Sequence, residues 1–247
     1  VAKSSLIPSN ENEAFHDPFG KRSGLILFWI LSRDISERFE PFSINEVAQR
    51  LAVGTATVHR TIVQLVKEGI FKAEGIRTSK RYCLKKSDEL LIDWIKNYQF
   101  SKKIKKIQLG ISDHNFFSKK EVTFFEQYAV PALHTAARKI FKVGASNLNN
   151  IEAYVENWNE IEKIESNFKL VEQERGYEVL LLKPYYDRVI SNYRTMPKDQ
   201  TAFNSYALLT FLDLINYPVR GREQAESLFR KTKTLSSICS WSQIEDL

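Results

Sequence analysis

The stretch TATVHRTIVQ, residues 55–64, carries side chains able to read or grip DNA at helical spacing. Arg60 is the strongest base reader, because a planar guanidinium pairs with guanine through two parallel hydrogen bonds. Thr55 and Thr57 suit phosphate oxygens or a thymine methyl, and His59 suits a phosphate or open water. Gln64 joins their side of the helix once Val58, Ile62 and Leu65 are assigned inward. Further on, Arg77, Lys80 and Arg81 lie in or beside a polar tip, IRTS, from which they would hold phosphates or enter a minor groove. Lys85 and Lys86 add only a general positive field.

Such residues need a helix that can enter a groove and a hairpin beside it, and the flanking sequence predicts both. Ser43, with Glu46 three residues later, has the spacing of a capping box. Ile44, Val47, Ala48 and Leu51 then form one apolar face. Gly54 interrupts it, and Thr55 is placed to cap a second helix with Val58, Ile62, Leu65 and Val66 inward. Gly69 stands where a left-handed helix end is expected. After it the period changes to two, and IFKAEG and RYCLK predict strands around the tip. With a first helix over residues 25–39, the order is that of a winged helix-turn-helix. Ser87, followed by Asp88 and Glu89, predicts the cap of a further helix that buries Leu90, Leu91, Trp94, Ile95 and Tyr98.

Charge agrees with this reading. Residues 43–86 hold nine basic and three acidic side chains, a net +6 that equals the excess of the whole 247-residue chain. A basic patch on a balanced body points to one polyanion-binding face. The longest strongly apolar run, residues 25–31, is too short for a bilayer, which needs about 20 residues, and no signal-peptide pattern is present. The two cysteines, Cys83 and Cys239, argue against a disulfide framework and fit a reducing cytosol. A cytoplasmic location without membrane contact is the expectation.

Residues 1–20 read as a flexible arm, 21–100 as the winged helix with a linker helix, and 101–247 as a regulatory domain, with SKKIKK (101–106) as a charged joint. In the last part KIQLGI, NIEAYVE, FKLVEQ, YEVLLLKP and RVISNYR predict strands. Residues 119–143 predict a helix interrupted by Pro131, residues 158–164 a short helix, and residues 203–216 and 222–233 two closing helices. Strands mixed with helices, without a regular βαβ rhythm, give an α+β fold class.

The segment VGASNLNNIEAYVE invites comparison with nucleotidyltransferases, which place two carboxylates at alternate strand positions after a Gly-Ser turn. Here Tyr154 follows Glu152 at that position, and Glu156 is about 13 Å further by strand rise. His16, His59, His114 and His134 show no zinc spacing, and no nucleophile elbow, phosphate loop or dinucleotide fingerprint occurs. No catalytic residue, metal or cofactor is expected. SDHN around His114 reads as a turn, and Asp213, among leucines, as either a satisfied polar core group or a helix-facing contact, the core reading being preferred. YPVRGREQ sets Arg220 and Arg222 beside Gly221. They form either an anchor for a partner's carboxylates or a charged loop that holds the next helix start.

The winged-helix order is followed by DELLIDWIKNY, HTAARKIFKVG, IEAYVEN, LVEQERGYEVLLLKPYYDRVI and YALLTFLDLINYPVRGREQAESLF. This succession resembles the AbiEi-type antitoxins of type IV toxin–antitoxin systems over most of residues 43–235. Paired alanines (Ala136, Ala137), a hydrophobic strand ending near Pro184, the helix with Phe211 to Leu214, and the Arg220 to Ala225 segment carry it. The Thr-Gly pair often found before the alanines is absent, and LHTAA stands there. The resemblance implies a regulator that binds repeats in its own promoter as double-stranded DNA and opposes a toxin of nucleotidyltransferase type. A ligand-responsive transcription factor, or a nucleotidyltransferase-like enzyme joined to a DNA-binding module, are the alternatives.

Overall fold

The computed structural model describes residues 16–144 and 149–247. Its first helix, α1 (Ser23–Ser32), is buried on every side, as a helix apolar all round must be. It stops short of residue 39 because Asp34 accepts a hydrogen bond from the backbone N–H of Ser36 at 3.2 Å and turns the chain. Arg38, wholly buried, donates to the Thr234 carbonyl at 3.1 Å and to Ser237 Oγ at 2.9 Å, pinning this turn to the C-terminal end of the chain. Burial pushes its guanidinium pKa down to about 10, so it stays charged at neutral pH.

Helix α2 (Ile44–Leu51) has the expected capping box: Ser43 Oγ accepts from the Glu46 N–H at 3.2 Å, and the Glu46 carboxylate accepts from the Ser43 N–H at 3.5 Å. Helix α3 (Thr55–Lys67) begins one residue before the expectation. Gly54 is the N-cap and Thr55 is already helical, since glycine is tolerated at that position without a side-chain cap. Gly69 adopts φ 77°. Strands β1 (Phe71–Glu74) and β2 (Arg81–Leu84) pair antiparallel, with Phe71 opposite Leu84 and Glu74 opposite Arg81, around a turn at Arg77–Ser79. Phe42 bridges to Tyr82 through two backbone hydrogen bonds of 2.9 and 2.8 Å. In α4 (Ser87–Asn97) the N-cap is Lys86, not Ser87, whose hydroxyl instead donates to the Ile238 carbonyl at 2.9 Å.

The expected joint at residues 101–106 is structured: it falls in α5 (Phe100–Lys103) and β3 (Lys105–Ile111), with Phe100 and Ile104 buried. The expected helix over 119–143 is α6 (His114–Gln127), β4 (Val130–Pro131) and α7 (Leu133–Lys139). Pro131 has no N–H to donate, and it sits in an edge strand, where that costs nothing. Strand β5 (Ile151–Tyr154), α8 (Ile161–Phe168), β6 (Leu170–Glu172) and β7 (Val179–Lys183) follow. RVISNYR is not a strand. It lies in α9 (Asp187–Thr195), because Val189, Ile190 and Tyr193 share one helical face and Asp187 suits a helix start. Helices α10 (Gln200–Ile215), α11 (Gly221–Lys231) and α12 (Lys233–Ser236) follow, and a 3-10 turn at Trp241–Gln243 ends the described chain.

The larger sheet has the order β4-β5-β7-β3-β6, with β5 and β7 parallel and the other pairs antiparallel. Val179 and Leu181 face the side chains of α6 and α8, while Leu180 and Leu182 join the core on the opposite face. Cover on both faces explains why VLLL is apolar without alternation. The main core runs from Phe19 through α1, α3 and α4 to α10, α11 and Ile244, so the N-terminal and C-terminal helices share buried apolar surface. Phe19 itself stacks on Trp94 at 6.1 Å, so the end of the expected arm is packed. Residues 1–15 of that arm lie outside the described residues. Among the described residues no helix is long and apolar enough to cross a membrane.

Candidate nucleic-acid interface

Helix α3 buries Val58, Thr61, Ile62 and Leu65 against the core. Thr55, Ala56, His59, Arg60 and Lys67 are exposed on it. Thr57 and Gln64 are half-buried. The Thr57 carbonyl accepts from Thr61 Oγ1 at 2.9 Å, and the Gln64 amide donates to Glu68 at 3.1 Å. Of the five α3 residues expected at a groove, Thr55, His59 and Arg60 therefore lie open, and Thr57 and Gln64 are half-buried. Lys67 lies two helical turns beyond Arg60 and is also exposed.

The hairpin places Arg77, Lys80 and Arg81 in the open. A cleft of about 270 Å³ is lined by Ser43 and Asn45 at the start of α2, His59 of α3, and Arg77, Lys80 and Tyr82 of the hairpin. Three segments distant in sequence thus bring two permanent cations and an imidazole to one recess. The Lys80 ammonium lies 5.6 Å from the centroid of the Tyr82 ring. Arg81 is outside the cleft; it stands opposite Glu74 and donates to the Lys80 carbonyl at 3.3 Å. Glu74, the acid of β1, is engaged by Lys72 at 3.0 Å, which holds its carboxyl below the usual range.

The other sequence candidates are drawn into the interior or into local pairs. Glu152 is fully buried. Its carboxylate accepts from the Thr135 N–H at 2.9 Å and the Tyr177 hydroxyl at 3.2 Å, and it lies 3.0 Å from His134 Nδ1. Glu156 lies past the end of β5 and pairs with Arg194 at 3.3 Å. The two acids are thus held by separate partners and do not converge. Part of the Gly-Ser turn before them, residues 145–148, lies outside the described residues. Asp113 caps α6 through the Phe116 N–H at 2.9 Å and pairs with Lys169 at 2.9 Å, while His114 faces Glu178 at 3.3 Å. Buried Asp213 accepts from the hydroxyls of Tyr98 and Tyr154. Burial pushes both phenol pKa values well up, so they remain neutral donors.

Arg222 is spent on the chain's own C-terminal residues, donating to the carbonyls of Ile244 and Leu247 at 2.9 Å each and to that of Glu245. Arg220 is exposed, in a left-handed conformation with φ 50°. Between them, a Cβ on Gly221 would stand 2.2 Å from the Leu214 carbonyl oxygen and 2.8 Å from Tyr217 Cβ, so only glycine lets α11 leave α10 so closely. Gly221→Ala is expected to destabilise the fold by about 1–3 kcal/mol through this overpacking. Urea titration checks it, with a lowered midpoint at unchanged slope.

Compared with known protein families, with curated proteins and with solved structures, the chain matches none of them.

Proposed function

We propose that α1, α2, α3, β1 and β2 form a winged helix-turn-helix that binds duplex DNA, with α3 in the major groove and the hairpin along the sugar–phosphate backbone. The chain is then a DNA-binding regulator without a catalytic role. The observation that carries this reading is the cleft shared by His59, Arg77 and Lys80 beside the exposed Arg60. A helix about 10–12 Å across fits a groove about 12 Å wide, and cations beside it meet the flanking phosphates. Arg60, in the second turn of α3, is positioned for a base edge, and the hairpin cations for backbone contacts. The resemblance to AbiEi-type antitoxins, which rests on sequence patterns, extends the proposal to autorepression and to opposing a nucleotidyltransferase toxin through the C-terminal half. With Arg222 engaged internally, Arg220 is the open cation of that pair.

Selection from a pool of random duplexes with the full-length protein tests the DNA-binding reading. Repeated rounds are expected to enrich a short common sequence, and the complex should weaken as salt rises. Recovery of no duplex at low salt would contradict the reading outright.

A further inference from the structure

A second basic cleft opens at the other end of α2. The hairpin cleft touches Ser43 and Asn45, at the start of that helix. The second, of about 520 Å³, touches Ala52 and Gly54 just after its end and is lined also by Lys21, Arg22, Asp187 and Arg188. Three cations there face one carboxylate. Lys21 and Asp187 pair at 2.6 Å. Arg22 and Arg188 are exposed, and their guanidinium groups make no hydrogen bond or ion pair among the described residues.

The cleft is assembled from segments far apart in sequence, and the core fixes their placement. Trp94 Nε1 donates to the Tyr186 hydroxyl at 3.2 Å, and that hydroxyl donates to the Phe19 carbonyl at 2.6 Å. Helix α1 lies against the same ring: a Cβ on Gly24 would come within 2.4 Å of Tyr186 Cε1. Tyr186 directly precedes α9, so its anchorage sets Asp187 and Arg188 beside Lys21 and Arg22. Gly54 in the wall has φ −58° and ψ 136°, values open to any residue, and a Cβ there would meet nothing within 4 Å. Neither backbone nor packing demands glycine. The missing side chain leaves the backbone open beside the cations.

We propose that this cleft binds a phosphate of the DNA backbone across the groove from the one held by the hairpin, so that α9 of the C-terminal half is part of the DNA contact. The inference rests on the DNA-binding reading. The two clefts sit at opposite ends of α2, whose eight residues span about 12 Å, close to the width of the major groove, about 12 Å. The C-terminal half then helps to hold the duplex, and a partner seated over α9 would compete with DNA.

The test is the salt dependence of binding by the full-length protein to a random-sequence duplex of about 30 base pairs, between about 50 and 200 mM salt. The Arg22→Ala/Arg188→Ala double variant should reduce the slope of log affinity against log salt by about one, a loss of roughly five-fold at 0.15 M, and each single alanine variant by part of that. Arg188→Lys should restore the slope. Lys120→Ala, which removes an equal charge from the exposed face of α6, should leave it unchanged. If the wild type binds and the double variant changes the slope no more than Lys120→Ala does, the inference is wrong while the DNA-binding reading stands. Absence of any binding by the wild type at about 50 mM salt overturns both.

Discussion

Asp213→Ala is expected to cost about 2–6 kcal/mol of stability, since it leaves two buried hydroxyls without an acceptor at roughly 1–3 kcal/mol each. Tyr98 ends α4, Tyr154 lies in β5 and Asp213 lies in α10, so one carboxylate joins the helix that follows the hairpin to the sheet and to the C-terminal helices. Burial raises the Asp213 pKa from its ordinary 3.8 to about 7, outweighing the two hydroxyls that lower it. The folded chain keeps a proton that the unfolded chain releases above about pH 4. The contribution of this group to stability is therefore full below pH 4 and is lost as pH rises to about 7. Urea titrations across that range should show wild-type stability falling relative to Asp213→Asn, by at most about 1.4 kcal/mol per pH unit. A difference independent of pH would mean that Asp213 is already ionised in the fold.

Removing Arg77, Lys80 and Arg81 together should have the largest effect on binding. If each holds one phosphate, the triple alanine variant loses about 2.7 from the salt slope, which at 0.15 M is a loss on the order of 100-fold in affinity for any duplex. All three side chains are exposed, so the fold should be unaffected and the urea midpoint unchanged. The loss should be nearly equal for selected and random sequences, because phosphate contacts position the protein without reading it. A triple variant with wild-type affinity would remove the hairpin from the interface.

The helix pair was legible because its signals are local. Ser43 and Glu46 make a capping box within four residues, and Val58, Ile62 and Leu65 repeat at the helical period. The same holds for the hairpin, where Gly69, the alternation and the polar tip all fall within a short span. Helix α9 was misread because a seven-residue window holding Val189, Ile190 and Tyr193 fits a strand about as well as a helix. Only the packing of Val189 and Ile190 into the main core decides between them. The second cleft was not legible at all. Lys21 and Asp187 are 166 residues apart, and nothing local to either announces the other. The polar set around Glu152 is similar: His134 and Thr135 reach it from α7, and Tyr177 from the turn before β7. Arg222 read equally well as partner anchor or internal brace, and its bonds to the C-terminal carbonyls come from residues 22 to 25 positions on.

Whether α3 reads bases through Arg60 is decided by comparing two duplexes. Affinities of the wild type and of Arg60→Ala are taken on the sequence enriched by selection and on a random duplex at the same salt. Arg60→Ala should lose about 1–3 kcal/mol on the enriched sequence, roughly 5- to 150-fold, and much less on the random one. Equal losses on both would make Arg60 a backbone contact and take α3 out of the role of reading helix.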